Sequence, residues 1–366
     1  ASPVYTRRMQ RAMGFSGGKD VPTIFKGLQL ECGLTHQYMD VHFAVETSDR
    51  GRFWLKSCGP LLETEDRGED AVRVMCHDIE DPTFDATAVA TNPRARMRPV
   101  HRPPRVPTQR EPHCEWQVFI DENAQPLQEP ALAALMGKTE LAGLVLERFS
   151  REQPDEEPGG MEYYDGPVIE QLQLEQLSHS ALGLVCRELA LQGQLLTLSL
   201  AHVIAQRYGE AAAMNVAEFQ MTGSAWVVSH RLKQWLGLRG DSIDDVLAVL
   251  ALHPALQPAE YFEATVARLD AQRALITFGD SAAMRENLPC SWFQLWRDGR
   301  VEGLNGLVQG VNACARVHPV AGVAMAFEIT LDTALAAAEE PLAVQIAKGT
   351  VLYSTQLENH IQLLNL

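Results

Sequence analysis

Cys114–Asp121 reads CEWQVFID and Met325–Asp332 reads MAFEITLD. The first alternates apolar and polar side chains, the pattern of a strand with one buried face. The second matches it position for position through the closing aspartates Asp121 and Asp332. Downstream, EPALAALMGKTELAGLVLE (129–147) lies over EPLAVQIAKGTVLYSTQLE (340–358) without a gap. Upstream, ATAVATNPRARMRPV (86–100) matches LVQGVNACARVHPV (307–320), and GRFWLKSCGPLLE (51–63) faces RALITFGDSAAMRE (273–286). Such self-similarity points to one supersecondary unit used twice.

The expected fold is therefore α/β (α+β): a tandem, pseudo-symmetric α/β repeat with a helical insert between the copies. The boundaries read as an N-terminal arm (1–20), a first repeat (21–150), an acidic linker with the insert (151–241) and a second repeat (242–366). Helices are expected from Pro22, after Thr35, over 68–79, from Asp81-Pro82 to about Asn92, and over 130–149. Strands are expected at 52–57 and 114–120. The segment 99–112 holds five prolines and three arginines, so it must be an extended loop. REQPDEEPGG (151–160) reads as a surface connection. Apolar residues at helical spacing over 168–209 and 210–236 read as long packed helices, and Asp241 and Ser242 as capping residues.

The copies differ where chemistry would be. Met75-Cys76-His77-Asp78 faces Leu295-Trp296-Arg297-Asp298, and the first copy has about nine extra residues in HRPPRVPTQREPHC (101–114). Thus Cys76, His77, Asp78, Glu80 and Asp81 are grouped with His101, Arg102, Arg105, His113 and Cys114. A thiolate nucleophile needs a neighbouring base or cation, a histidine needs a carboxylate to set its tautomer, and arginines can clamp a carboxylate. Cys76 and His77 are adjacent on a helix and do not face one another, so His101 or His113 would supply the base. Arg102 and Arg105 would form the anion clamp. The plain alternative makes Cys76 a buried small hydrophobe and His77 a surface residue.

His36 and Asp40, read at i and i+4 on one helix face, would with His77 make a 2-His-1-carboxylate set suited to non-haem iron or zinc. Glu188, His202, Glu218 and His230 in the insert lack Glu-x-x-His spacing. Ser16-Gly17-Gly18-Lys19-Asp20 resembles the pyrophosphate loop of the ATP pyrophosphatase family, with Val21 in place of its final serine. That resemblance would imply nucleotide binding after a buried strand. Gly279-Asp280-Ser281 resembles the nucleophile block of the GDS-type esterases, although the Asp-x-x-His pair that would activate the serine is missing. A shared strand-end turn opposite Lys56-Ser57-Cys58-Gly59 is the simpler reading.

Across 366 residues, 46% apolar and 21% charged composition is that of a globular chain. A formal charge of −16 disfavours nucleic-acid and anionic-membrane partners. No signal-like or spanning apolar run is evident, and seven cysteines without paired spacing suit a reducing cytoplasm. The leading expectation is a cytoplasmic, cofactor-independent enzyme that hydrolyses a C–N or related bond in a small polar or carboxylated metabolite, with a homodimer left open. The alternatives are a metal-dependent enzyme (iron or zinc) and a non-catalytic small-molecule binding or sensor protein.

Overall fold

The computed structural model describes residues 1–34, 38–148, 159–286, 288, 291–332 and 334–347. It is a mixed α/β chain with two four-stranded antiparallel sheets. Two compact units divide it: Ala1–Lys138 with Val145–Gln192, and Thr139–Leu144 with Gly193–Leu366.

In unit 1, strands β1 (Met39–Thr47), β2 (Arg50–Cys58), β3 (Ala95–His101) and β4 (Cys114–Ile120) form a sheet of order β1-β2-β4-β3. Trp116 at the centre of β4 pairs with Phe53 on one side and Pro99 on the other. Its ring packs 4.7 Å from that of Phe84, on the helix Glu80–Val89. This apolar face, with Val41, Phe43, Leu55, Met97 and Val118, is the core of the unit. Full burial of such side chains contributes about 1.5–3 kcal/mol each.

Several segments differ from expectation. Most of the supposed arm 1–20 is the helix Ser2–Ala12, packed through Tyr5, Met9 and Met13. Arg8 on that helix is buried because its Nε and Nη2 donate to the two carboxylate oxygens of Glu188, each at 2.8 Å. A paired charge can be buried where a lone one cannot. The helix expected after Thr35 is strand β1 instead. Val41 and Phe43 alternate with outward Asp40 and His42, and this period of two overrides the i, i+4 reading. The expected helix 130–149 is two short ones, Ala131–Met136 and Glu140–Gly143, the second capped by Thr139 Oγ1 accepting from Ala142 N at 3.0 Å. Residues 168–178 are largely non-helical, and the long helix runs His179–Tyr208.

The helix before β3 does not restart at Asp81-Pro82. It is one run, Glu69–Arg73, Val74–Ile79 and Glu80–Val89, whose middle section has the wider turn of a π-helix. Pro82 has no N–H to give the carbonyl four residues back, and its ring crowds that carbonyl. A widened turn relieves the conflict and is common at functional sites. Cys76, His77 and Asp78 lie on it.

In unit 2, strands β5 (Ala264–Arg268), β6 (Arg273–Phe278), β7 (Ala315–Pro319) and β8 (Ala326–Leu331) form a sheet of order β5-β6-β8-β7. Phe327, the second residue of β8, pairs with Ile276 and Pro319. The helix Ile243–Leu252 is capped by Ser242, whose hydroxyl accepts from Asp245 N at 3.2 Å. The helix Glu302–Gln309 lies directly against the helix Glu210–Trp235. A Cβ at Gly306 would come within 2.7 Å of the Thr222 carbonyl oxygen, and one at Gly310 within 2.3 Å of that of Trp226, so only glycine permits this approach. Of the 340–358 copy, only the helix Leu342–Ala347 and the residues just before it lie within the described residues.

Candidate functional site

The candidate residues converge in unit 1 on the loop between β3 and β4, but in roles other than those expected. Arg105 makes a bidentate pair with Glu65, Nε to Oε1 and Nη2 to Oε2, both 2.9 Å. Arg102 pairs with Asp81 and lies 5.9 Å from the centroid of the Trp116 ring. His77 Nε2 is 2.7 Å from the Pro103 carbonyl oxygen, and His101 Nε2 is 2.9 Å from that of Pro112. Carbonyls only accept, so each imidazole carries its proton on Nε2. His113 is buried and its main chain donates to Leu55 O at 2.7 Å, while its Nδ1 accepts from Cys58 N at 3.1 Å. Burial, then the nearby Arg105 charge, lower its pKa. Asp78 is exposed. The arginines and histidines thus tie a proline-rich loop over the end of the sheet.

Under that loop lies a group with a different chemistry. Cys76 on the widened turn, Cys58 at the end of β2 and Cys114 at the start of β4 are all buried. Glu80 is one helical turn beyond Cys76, and its charge acts on all three sulfurs. Burial, followed by Glu80, pushes the Cys76 thiol up to about 12. Burial pushes Cys58 up to about 11 and Cys114 well above its ordinary value, the latter tempered by the Trp116 indole. Raised in this way, the three thiols hold little of the thiolate form, which is the nucleophile.

Glu80 is itself raised to about 7 by burial, against the pull of Arg102. Its Oε2 has no hydrogen-bond partner among the described residues. A carboxyl that titrates near neutrality can both give and take a proton at the working pH. In the sequence Glu80 and Cys114 fall within the grouped residues without a role of their own, and Cys58 reads only as part of a strand-end turn. The i, i+4 spacing of Cys76 and Glu80 was the available signal; the two strand-end cysteines join only through the sheet.

The proposed metal set is not assembled among the described residues. His36 lies outside them, Asp40 accepts from Gln171 Nε2 at 2.7 Å and meets His42 Nε2 at 3.0 Å, and His77 is held by Pro103. No described group of three or more His, Cys, Asp or Glu side chains has the disposition of a metal site. Ser16–Asp20 follows a helix rather than a strand, and Asp20 caps the next helix, Val21–Gln29, by accepting from Thr23 N at 3.0 Å. Ser281 is fully buried just after β6, and its hydroxyl has no partner among the described residues, the basic one of a serine esterase included.

Protein-family models, curated proteins and solved structures contain no match to this chain. No helix among the described residues is long and apolar enough to cross a membrane.

Proposed function

We propose that the chain is a duplicated α/β protein whose first copy carries an acid–base site for a small polar or carboxylated molecule. The two sheets share strand order and register around Trp116 and Phe327. The local bonds that precede β3 and β7 also correspond. Asn92 accepts from Arg94 N at 2.9 Å and Asn312 from Cys314 N at 2.8 Å. Met97 N donates to Asp85 Oδ1 at 3.1 Å, and Val317 N to Asn305 Oδ1 at 2.9 Å. These pairs support duplication because identical side-chain-to-main-chain bonds recur at one spacing.

The observation that carries the function is Glu80: a half-buried residue whose Oε2 is buried and has no partner among the described residues, raised to about 7 beside a guanidinium. The proposed reaction is cofactor-independent hydrolysis of a C–N or related bond in a reducing compartment such as the cytoplasm. Glu80 takes a proton from water as the water oxygen bonds to the carbon under attack. It then returns that proton to the departing nitrogen as the C–N bond breaks. Arg102 stabilises the carboxylate form of Glu80, and the loop 102–112 excludes bulk water. Proton transfer by a positioned group contributes about 10²–10⁴-fold.

The test is a screen of small carboxylated amides and related C–N compounds by thermal shift and NMR turnover at pH 6 and pH 8. Glu80→Gln is expected to retain the fold and ligand binding while losing turnover by at least about 10²-fold. Full turnover in Glu80→Gln ends the acid–base reading. Turnover lost in Cys76→Ser but kept in Glu80→Gln restores the covalent mechanism. A stoichiometric transition metal by elemental analysis shifts the reading to the metal-dependent enzyme, and binding without turnover to the sensor.

A further inference from the structure

The second unit holds a cavity lined by the residue that corresponds along the chain to Glu80. Arg300 precedes Asn305 by five residues, as Glu80 precedes Asp85, so the two correspond along the chain. Arg300 lines an open cavity of about 390 Å³ with Asn215, Glu218 and Phe219 of the helix Glu210–Trp235, and with Glu302 and Leu342. That volume falls in the range of small-molecule sites.

The walls have a distinct charge pattern. Arg300 Nε lies 3.1 Å from Glu218 Oε2, and Nη2 is shared between that oxygen at 2.5 Å and Asn215 Oδ1 at 3.0 Å. These bonds fix the guanidinium plane and leave Nη1 without a partner among the described residues. Glu218 balances Arg300, whereas Glu302 is exposed and adds a negative charge at the rim that is unmatched among the described residues. Phe219 and Leu342 supply apolar surface between them.

We infer that this cavity binds a small zwitterion, an α-amino acid with an apolar side chain. Its carboxylate takes the open edge of Arg300, its ammonium sits by Glu302, and its side chain lies on Phe219 and Leu342. A plain anion would meet two carboxylates with one guanidinium already shared, and a plain cation would leave the guanidinium edge unused. A charged donor left unmatched in a partly desolvated site costs affinity. The site is separate from Glu80, and neither depends on the other for its reading.

The experiment is protein-observed NMR titration of the full chain with leucine and phenylalanine, alongside N-acetyl-leucine and leucine amide. The free amino acids are expected to saturate, with each blocked derivative binding at least about tenfold more weakly. Glu302→Gln, a change on an exposed side chain, is expected to weaken leucine about tenfold and leave the melting temperature unchanged. Arg300→Met, checked for folding by circular dichroism, is expected to remove binding, and Glu80→Gln to leave it intact. Failure of leucine and phenylalanine to saturate by about 10 mM, equal binding of either blocked derivative, or unaltered affinity in Glu302→Gln overturns the inference.

Discussion

At matched positions along the chain, unit 1 has Cys76 and unit 2 has Trp296. The tryptophan is buried 4.8 Å from Phe278 in a near-parallel stack, with Phe262 and Phe293 at 5.9 and 5.8 Å. The cysteine instead shares its surroundings with the thiols of Cys58 and Cys114 and with Glu80. Two sheets of the same strand order thus accompany an aromatic plug in one unit and an ionisable group in the other. The aromatic filling serves stability; a buried acid lowers it and is retained where it has chemical use.

The largest break in that comparison should come from truncating the two residues. Trp296→Ala is expected to cost about 3–5 kcal/mol through lost burial and a cavity, seen as weaker hydrogen-exchange protection of β6 and β8. Cys76→Ala removes only a small side chain and is expected to cost about 1 kcal/mol, read on β2 and β4. Equal costs would mean that the plug does not hold unit 2.

The pH responses should run in opposite directions. Glu80 is raised from 4.5 to about 7 on folding, so the folded state binds more protons between these values. Its contribution to stability is therefore lost as pH rises through about 7, by about 3 kcal/mol at most. Glu31, also raised to about 7 by burial, adds a loss of the same sign. Glu80→Gln should relieve its share at pH 8 and change little at pH 5. Urea unfolding at the two pH values checks this, and a variant no more stable than the parent at pH 8 would remove the buried-acid assignment.

His253 in unit 2 does the reverse. It is buried, its Nδ1 accepts from Ala255 N at 3.0 Å, and its Nε2 lies 3.1 Å from Ala225 O. Burial lowers its pKa to about 4, so the unfolded state binds the extra proton. Stability is lost as pH falls from about 6.5 towards 4, again by up to about 3 kcal/mol. Exchange protection of the helix Ile243–Leu252 should weaken over that window, and His253→Gln should flatten the dependence. The smallest effect should come from Arg105→Lys, which forfeits the bidentate geometry to Glu65 and costs about 1 kcal/mol or less. It should show as faster proteolysis in 103–112.

Where the pattern was local, the fold could be read directly. Strand β4 has its expected bounds because Trp116 and Val118 alternate with outward residues, and Ser242 caps because its hydroxyl reaches the third amide of its own helix. Arg8 defeated such reading, since its partner Glu188 is 180 residues away and a basic stretch otherwise suggests a solvated arm. The candidate site was legible as a region, because Cys76, the histidines and the arginines do meet the β3–β4 loop. Their roles were not. A titration near 7 for Glu80 arises from burial beneath side chains brought together from two strands and a widened turn, and no spacing records it.

Both sheets end in a proline-bearing outer strand, with Pro99 in β3 and Pro319 in β7 at corresponding register. An outermost strand offers its free amides and carbonyls to any passing chain. Proline has no amide hydrogen to offer and interrupts that row. Each proline therefore removes one donor from its strand's row, which disfavours edge-to-edge pairing with another chain. Replacing both prolines by valine should leave the cores intact while making the protein prone to thioflavin-positive fibres.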